Sequence, residues 1–186
     1  MDAAQKGQKF YTYEDYLTWN DGVRYELIEG VPYMMSSPSQ EHQEILGELF
    51  GQLRDFLKGK PCKVFIAPFD VKLKINKRRD TVTQPDIMVV CDHSKLDGKA
   101  VNGAPDFIIE ILSPSTSKMD TFIKLNKYRE AGVREYWIVN PADKTIIPYI
   151  LKDGVYSVNP CGEEPESISV HVLDGCVINL KSVFPK

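Results

Sequence analysis

The sequence lacks the features that would place it in a membrane, in an oxidising compartment or on a strongly charged partner. No apolar run approaches the roughly 20 residues that span a bilayer. No apolar signal segment follows Met1, and the cysteines Cys62, Cys91, Cys161 and Cys176 form no C-x-x-C pair. The formal charge of −3 supplies no overall positive field for nucleic acid or an anionic membrane. We therefore predict a soluble, cytoplasmic protein with reduced cysteines and no membrane partner.

The sequence does contain enough apolar residues for one substantial core. Of the 186 residues, 42% are hydrophobic and 10% are aromatic. Residue spacing and capping signals predict a short helix within 11–19, and a long helix that starts at an N-cap Ser37 and stops before Gly59. A third helix is predicted over 120–131, ending at Gly132.

Strand patterns separate these helices. Alternating or continuous apolar runs predict strands over 24–28, 31–35, 63–75, 81–91, 105–112 and 135–139. A charged turn is predicted at 76–80 and a polar loop before the fifth strand. Asp153-Gly154 and Asp174-Gly175 each predict a hairpin in the remaining, β-rich sequence.

These elements predict one α/β (α+β) domain over residues 1–186. A mixed central β-sheet flanked by helices would occupy 10–140, and a β-hairpin extension would occupy 141–186.

Two carboxylates lie inside apolar, strand-like runs. Asp86 lies in QPDIMVV and Glu110 in DFIIEIL. A carboxylate among aliphatic neighbours loses hydration, so it must be paired, protonated or bound to a cation. Two such acids on neighbouring strands predict a site for a hard metal ion. The alternatives are an Asx turn that caps the strand for Asp86, and an outward-facing acid on an edge strand for Glu110.

Metal-dependent phosphodiester hydrolysis also needs an activated water and positive charge beside the phosphate. Asp86 and Glu110 can supply carboxylate ligands, and the backbone carbonyl of Ile111 is a further candidate ligand. No lysine lies two residues after Glu110, where the chain has a leucine. Lys124 is the candidate lysine, on the same helical face as Tyr128. The alternative is an ordinary exposed helix lysine.

These residues belong to a wider pattern. It comprises PD at 85–86, PDFIIEILSPST at 105–116, Asp120, Lys124, Tyr128, GVREYW at 132–137, YELIEG at 25–30, His42 and PFDV at 68–71. Over residues 10–140 the chain resembles the bacterial Uma-two family of endonucleases, which belongs to the PD-(D/E)XK restriction-endonuclease-like superfamily.

The resemblance implies a restriction-endonuclease-like core with Mg²⁺ or Mn²⁺ held by Asp86 and Glu110. It also implies that the superfamily's lysine has moved from the strand to the following helix, at Lys124. A role in host defence or in a mobile element is what the similarity suggests.

A second tier of candidate site residues comprises Glu26, His42, Asp70, Gln84 and Tyr128. Glu26 either extends the carboxylate cluster or pairs with a basic residue such as Arg24 across strands. His42 is either a buried, hydrogen-bonded histidine or a site member that orients water or phosphate. A charged strand surface explains Asp70 without any chemistry, and only the family pattern makes it a candidate. Gln84 could face the same cleft because it lies two positions before Asp86.

We predict a Mg²⁺-dependent endonuclease that hydrolyses DNA phosphodiester bonds, as a homodimer because two cuts on a duplex need two sites. The alternatives are a non-catalytic nucleic-acid-binding or regulatory module that keeps the fold, and a hydrolase of a smaller phosphoester. Tyr136-Trp137 is interpreted as core or dimer contact. One dense basic cluster is either a nucleic-acid contact or a solvated hairpin tip: Lys72, Lys74, Lys77, Arg78 and Arg79.

Overall fold

The computed structural model describes residues 9–75, 79–114, 117–158 and 166–184. Its helices are α1 (Tyr13–Tyr16), α2 (Gln40–Leu57) and α3 (Leu125–Ala131), with a π-helical turn, Met119–Lys124, directly before α3. Its strands are β1 (Tyr25–Ile28), β2 (Val31–Met34), β3 (Lys63–Ile66), β4 (Asp70–Leu73), β5 (Thr81–Thr83), β6 (Ile87–Val90), β7 (Ala100–Asn102), β8 (Phe107–Ile111), β9 (Glu135–Asn140), β10 (Thr145–Lys152), β11 (Val155–Val158), β12 (Ser167–Ser169) and β13 (Val177–Asn179).

Two mixed sheets organise the chain. The larger has the order β11-β10-β9-β8-β6-β3, in which only β8 and β9 are parallel, and the smaller has the order β2-β1-β5-β4-β7. Helix α2 packs on one face of the larger sheet through Ile45, Leu49 and Leu53, against Ile109 and Trp137. On the opposite face, Tyr128 of α3 packs with Ile108, Tyr136 and Ile138. The predicted mixed sheet flanked by helices is confirmed.

A bent hairpin connects the two sheets. Strands β4 and β5 pair in the smaller sheet, whereas β3 and β6 pair in the larger one. The chain therefore changes sheets twice, at Pro68 and at Pro85, where a residue without an amide hydrogen cannot continue a strand ladder. The Ala67 amide donates to the Asp86 carbonyl across this corner, at 3.2 Å. The corner leaves Asp86 at the junction of the two sheets.

This bend overturns two sequence predictions. Residues 63–75 and 81–91 were each expected to form one strand, and each forms two strands in different sheets. The predicted polar loop also contains a strand, β7, which pairs in parallel with β4. The alternation of Val71 and Leu73 inward was correct, but hydrophobic alternation cannot show which sheet a strand joins.

The helix caps and one hairpin turn correct one sequence prediction and confirm two. Ser39, and not Ser37, is the N-cap of α2, and its hydroxyl accepts from the His42 amide. Pro38 then lies before the cap, where it favours the extended conformation of the residue that precedes it. The third helix ends as predicted at Gly132, which has the left-handed φ of 89°. The Asp153-Gly154 hairpin is also confirmed, between β10 and β11.

The C-terminal residues complete the core that α2 shares with the larger sheet. Strands β12 and β13 form the second predicted hairpin, with Asp174-Gly175 in a longer connection than the two residues alone. Val170, Leu173 and Ile178 are buried against α2 and the sheet.

The prediction of reduced cysteines is wrong for Cys62 and Cys91, which form a disulfide. Lys63 pairs with Val90, so positions 62 and 91 face each other across β3 and β6. The 29-residue separation in the chain hides this contact from inspection of the sequence. Cys176 is a free, buried thiol, and Cys161 lies outside the described residues. No helix in the described ranges has the length and apolar character needed to cross a bilayer.

Candidate active site

Asp86 and Glu110 lie side by side on neighbouring strands. Ile87 of β6 pairs with Ile109 of β8, and this antiparallel register brings position 86 level with position 110. The Ile111 amide donates to Asp86 Oδ2 at 2.8 Å, which anchors the Asp86 side chain to the end of β8. Asp86 is partly exposed, whereas Glu110 is buried. The structure therefore places the two predicted carboxylates together at one edge of the sheet junction.

Lys124 binds three carboxylates at once. Its Nζ lies 2.9 Å from Glu110 Oε1, 2.9 Å from Glu26 Oε1 and 3.3 Å from Asp120 Oδ1. All four side chains are at most 5% exposed. Burial alone would lower the pKa of Lys124, but the charges of Glu110 and Glu26 outweigh it and raise that pKa well above its usual range. The surrounding carboxylates therefore favour the charged form of Lys124 at the centre of the cluster.

The π-helical turn brings Asp120 and Lys124 into this cluster. These two residues lie four positions apart, at the second and the last position of the six-residue turn, and their side chains form an ion pair. One turn further, Tyr128 donates its hydroxyl to Glu110 Oε1 at 2.8 Å. The predicted shared face of Lys124 and Tyr128 is confirmed, since both side chains contact the same glutamate oxygen. Wide turns of this kind are frequent at functional sites.

Glu110 has a strongly perturbed carboxyl. Burial raises its pKa well above the usual value, the charge of Lys124 opposes that shift, and the neighbouring Asp120, Asp86 and Glu26 reinforce it. Desolvation and carboxylate crowding thus both disfavour its ionised form.

His42 contacts the other carboxylate. Its Nε2 lies 3.1 Å from Asp86 Oδ2, and its Nδ1 is buried with no hydrogen-bond partner among the described residues. Burial lowers the pKa of His42, but the hydrogen bond and charge of Asp86 dominate and raise it above the usual value. The interpretation of His42 as a buried, hydrogen-bonded histidine is confirmed, and the residue also lines the cavity. Its role in orienting water or phosphate stays a prediction.

These groups line one cavity of about 240 Å³ between α2, the sheet junction and the π-helical turn. Its wall contains the carboxylates of Glu26, Asp86, Glu110 and Asp120, and, within the described part of the chain, Lys124 and Arg24 are its only lysine and arginine. Carboxylates supply hard oxygen donors, the ligand type that divalent cations such as Mg²⁺ or Mn²⁺ take.

A metal at this cavity would depend on few protein ligands. No three His, Cys, Asp or Glu side chains in the described ranges are grouped so that they could hold an ion by themselves. Mg²⁺ is commonly bound through one or two carboxylates, with waters as the other ligands, and Asp86 with Glu110 matches that pattern. The carbonyl of Ile111 as a ligand stays a prediction, although Ile111 does line the cavity.

The second-tier candidates Asp70 and Gln84 differ in their position relative to the cavity. Asp70 does not line it, and instead accepts hydrogen bonds from Tyr16 and Gln84 on the far side of the sheet junction. Gln84 does line it, and its backbone amide donates to Glu26 Oε1 at 2.8 Å. Gln84 therefore connects the carboxylate cluster to the surroundings of Asp70.

Two residues that line the cavity were missed by reasoning from the sequence. Asp120 was noted in the family pattern but was not named as a site residue. An acid four positions before Lys124 on a helix was the available signal. Arg24 was considered only as a partner for Glu26, but its guanidinium instead donates to Gln84 Oε1, at 2.9 and 3.3 Å. Nothing in the sequence pairs positions 24 and 84, which are brought together only by the smaller sheet.

The chain belongs to the Uma2 family, whose model, described as "Putative restriction endonuclease", matches residues 12–181. The fold resembles that of a solved protein from Anabaena variabilis, titled "a putative nuclease belonging to DUF820", with a TM-score of 0.72 and 21% identity. That match covers 93% of this chain and 97% of the other. A protein of Synechocystis, "Uncharacterized protein slr1290", is 29% identical over 143 residues, which span 75% of this chain and 74% of the relative.

These comparisons confirm the predicted family and the predicted fold class. The family model extends through the C-terminal hairpin, beyond the 10–140 range that the sequence resemblance covered.

Proposed function

We propose that this protein is a metal-dependent endonuclease that hydrolyses phosphodiester bonds of DNA. The observation that carries the proposal is the convergence of Asp86, Glu110 and Lys124 on one cavity, with Lys124 Nζ 2.9 Å from Glu110 Oε1. Membership of the Uma2 family supports the same reaction class. Acidic oxygen donors with one lysine are what metal-assisted phosphodiester hydrolysis requires of a protein.

Each side chain has a distinct task in this proposal. Asp86 and Glu110 hold Mg²⁺ or Mn²⁺, which when bound polarises a phosphate oxygen and lowers the pKa of water. Lys124 supplies positive charge for the phosphate and keeps the crowded carboxylates together before substrate arrives. Tyr128 orients Glu110 through its hydroxyl, and Glu26 and Asp120 orient Lys124.

His42 and Asp86 form a second pair within the same proposal. The Nε2 of His42 is hydrogen-bonded to Asp86, and its Nδ1 is buried without a partner among the described residues. A histidine so placed can hold the Asp86 carboxylate in one orientation. Asp86 raises the pKa of His42, which favours the protonated form of the imidazole.

One observation favours the alternative, a non-catalytic nucleic-acid-binding module. Lys124 is only 4% exposed and is enclosed by three carboxylates, as in a structural ion cluster. A lysine that stabilises developing charge must reach the phosphate, so catalysis requires this cluster to rearrange when a cation and substrate bind. The experiment below separates the two functions.

Cleavage of supercoiled plasmid and of single-stranded DNA with Mg²⁺ or Mn²⁺ tests the proposal. The wild type is compared with Glu110→Gln and Asp86→Asn, which keep the size of each side chain and remove its charge. Glu166→Gln is the matched control, because Glu166 is exposed and contacts only Lys181 among the ion pairs. We expect nicking by the wild type and control, and a loss of about 100-fold or more in both site variants.

Activity is compared at equal folded fraction, measured by circular dichroism. A wild type that binds DNA but leaves every substrate intact would favour the binding module. Equal cleavage by the wild type and Glu110→Gln would exclude this site as the source of any activity. Cleavage of a small phosphodiester without cleavage of DNA would select the smaller-substrate hydrolase.

The homodimer is part of the same proposal, because a double-strand break needs two copies of a single-site enzyme. Light scattering on the purified protein tests it: a mass of about one chain in both the presence and the absence of DNA would limit the protein to single nicks.

A further inference from the structure

A second cavity lies next to the first and shares part of its wall. It has a volume of about 350 Å³, and Arg24 and Gln84 line both cavities. The remaining wall includes the aromatic rings of Tyr16, Trp19 and Tyr25. None of these three aromatic residues has a task in the proposed hydrolysis.

Trp19 is the centre of this aromatic wall. The rings of Tyr11, Tyr16 and Tyr25 surround it at centroid distances of 5.2, 5.5 and 5.2 Å and interplanar angles of 86, 69 and 76°. All three contacts are T-shaped, so none of these rings stacks parallel to the indole. An aromatic face without a parallel partner is a stacking surface for a planar ring such as a nucleobase.

Asp70 provides a hydrogen-bond acceptor beside these rings. Its Oδ1 accepts from Gln84 Nε2 at 2.9 Å and from Tyr16 OH at 3.1 Å, and its Oδ2 lies 3.4 Å from Tyr13 OH. A carboxylate accepts about four hydrogen bonds, so Asp70, which already accepts three and lines the cavity, has capacity for about one more. It forms no ion pair with a lysine or arginine of the described ranges.

The side-chain amide of Gln84, a neutral polar group beside Asp70, is already committed. Gln84 uses both amide hydrogens, on Tyr16 and Asp70, and its Oε1 accepts from Arg24. Asp70 is therefore the group that can select a ligand, and it selects one that offers hydrogen-bond donors. The amino and imino hydrogens on the Watson–Crick edge of guanine are two adjacent donors, whereas thymine offers one donor between two acceptors.

Arg24 stands between the two cavities. Its side chain is exposed and borders both, and Lys99 lies at the edge of the second. Positive groups there can contact backbone phosphates on either side of a base held in the second cavity.

We propose that the second cavity binds an unpaired nucleobase that carries donor groups, guanine foremost, next to the phosphate that enters the carboxylate cavity. Trp19 stacks on the base, Asp70 accepts a hydrogen bond from its donor edge, and Arg24 holds the connecting phosphate. The placement of that phosphate rests on the proposed function, but base binding itself requires no cleavage. The protein would then act on an unstacked or single-stranded position with a preference at the adjacent base.

Tryptophan fluorescence tests this proposal in the presence of a chelator, so that no strand is cut. The chain has two tryptophans, and Trp137 is 0% exposed, so a stacked base quenches only Trp19. The probes are a single-stranded thymidine oligonucleotide of about ten nucleotides and the same strand with one central guanine. We expect quenching by the guanine strand, with about tenfold tighter binding than the all-thymine strand.

Single substitutions test which residues produce the preference for the guanine strand. Asp70→Asn should lose the guanine preference, Trp19→Phe should lose the quenching, and Asp55→Asn should behave as the wild type. Asp55 is an exposed residue of α2 whose carboxylate pairs with the adjacent Arg54.

Three outcomes overturn the proposal: no quenching by either strand, an unchanged guanine preference in Asp70→Asn, or equal binding of free guanosine monophosphate and the guanine strand. The last would mean a nucleotide pocket independent of any strand. Failure of plasmid cleavage would overturn the proposed nuclease function and leave this measurement unaffected.

Discussion

Glu110 and Glu135 are two buried glutamates on neighbouring parallel strands, β8 and β9, with opposite surroundings. Glu110 faces α3 and the carboxylate cavity, where its oxygen meets the Lys124 ammonium and the Tyr128 hydroxyl. Glu135 faces the core side, where it accepts from the Trp137 indole at 2.7 Å and from the Val172 amide at 2.8 Å. Burial raises the pKa of both carboxyls.

The two glutamates differ in whether the groups that contact their carboxylates are neutral or charged. Both hydrogen-bond donors at Glu135 are neutral, and one of them, the Val172 amide, attaches the C-terminal residues to β9. At Glu110 the neighbours are charged, three further carboxylates line the same cavity, and the cavity has room for a ligand. A buried carboxylate is therefore a sign of function only when other charged groups and a cavity accompany it.

The largest expected effect concerns the charge at the centre of the cluster. Lys124→Met should lower the free energy of unfolding by about 3–5 kcal/mol, because three buried carboxylates lose their cation. Urea denaturation at pH 7 measures it. Lys181→Met, which removes the exposed pair with Glu166, should cost at most about 1 kcal/mol. Similar costs for the two variants would contradict the ion cluster.

Removing the structural glutamate should have a smaller effect. Glu135→Leu should cost about 2 kcal/mol, because the Trp137 indole and the Val172 amide keep their burial and lose their acceptor. Its cleavage activity per folded molecule should match the wild type, in contrast with Glu110→Gln. The paired measurements are urea denaturation and plasmid nicking at equal folded fraction. A selective loss of nicking in Glu135→Leu would remove the distinction between the two glutamates.

The smallest effect is a pH dependence at His42. Because Asp86 raises the pKa of His42, the charged pair stabilises the fold fully below the ordinary histidine pKa and is lost as pH rises through the raised value. His42→Gln should therefore destabilise the protein more at pH 6 than at pH 9. Melting temperatures of both proteins across this range measure the difference, with His93→Gln, an exposed histidine, as control. A cost for His42→Gln that stays constant with pH would mean that His42 is neutral in the fold.

Local patterns in the sequence determined much of the fold and part of the candidate site. Helical spacing of Lys124 and Tyr128 predicted their common face, and the Gly132 stop and the Asp153-Gly154 turn depend only on neighbouring residues. The acids Asp86 and Glu110 stood out because ionised groups are costly among aliphatic residues. Their catalytic roles stay predictions.

Only the tertiary structure decided which of these residues meet. The bend at Pro68 and Pro85, the Cys62–Cys91 disulfide, and the contacts of Lys124 with Glu26 and of Arg24 with Gln84 join positions far apart in the chain. Periodicity reports which side of a strand or helix is apolar, because it reflects local geometry. Strand order and register depend on the packing of the whole chain, so the sequence determined the candidate groups and the two sheets determined the site.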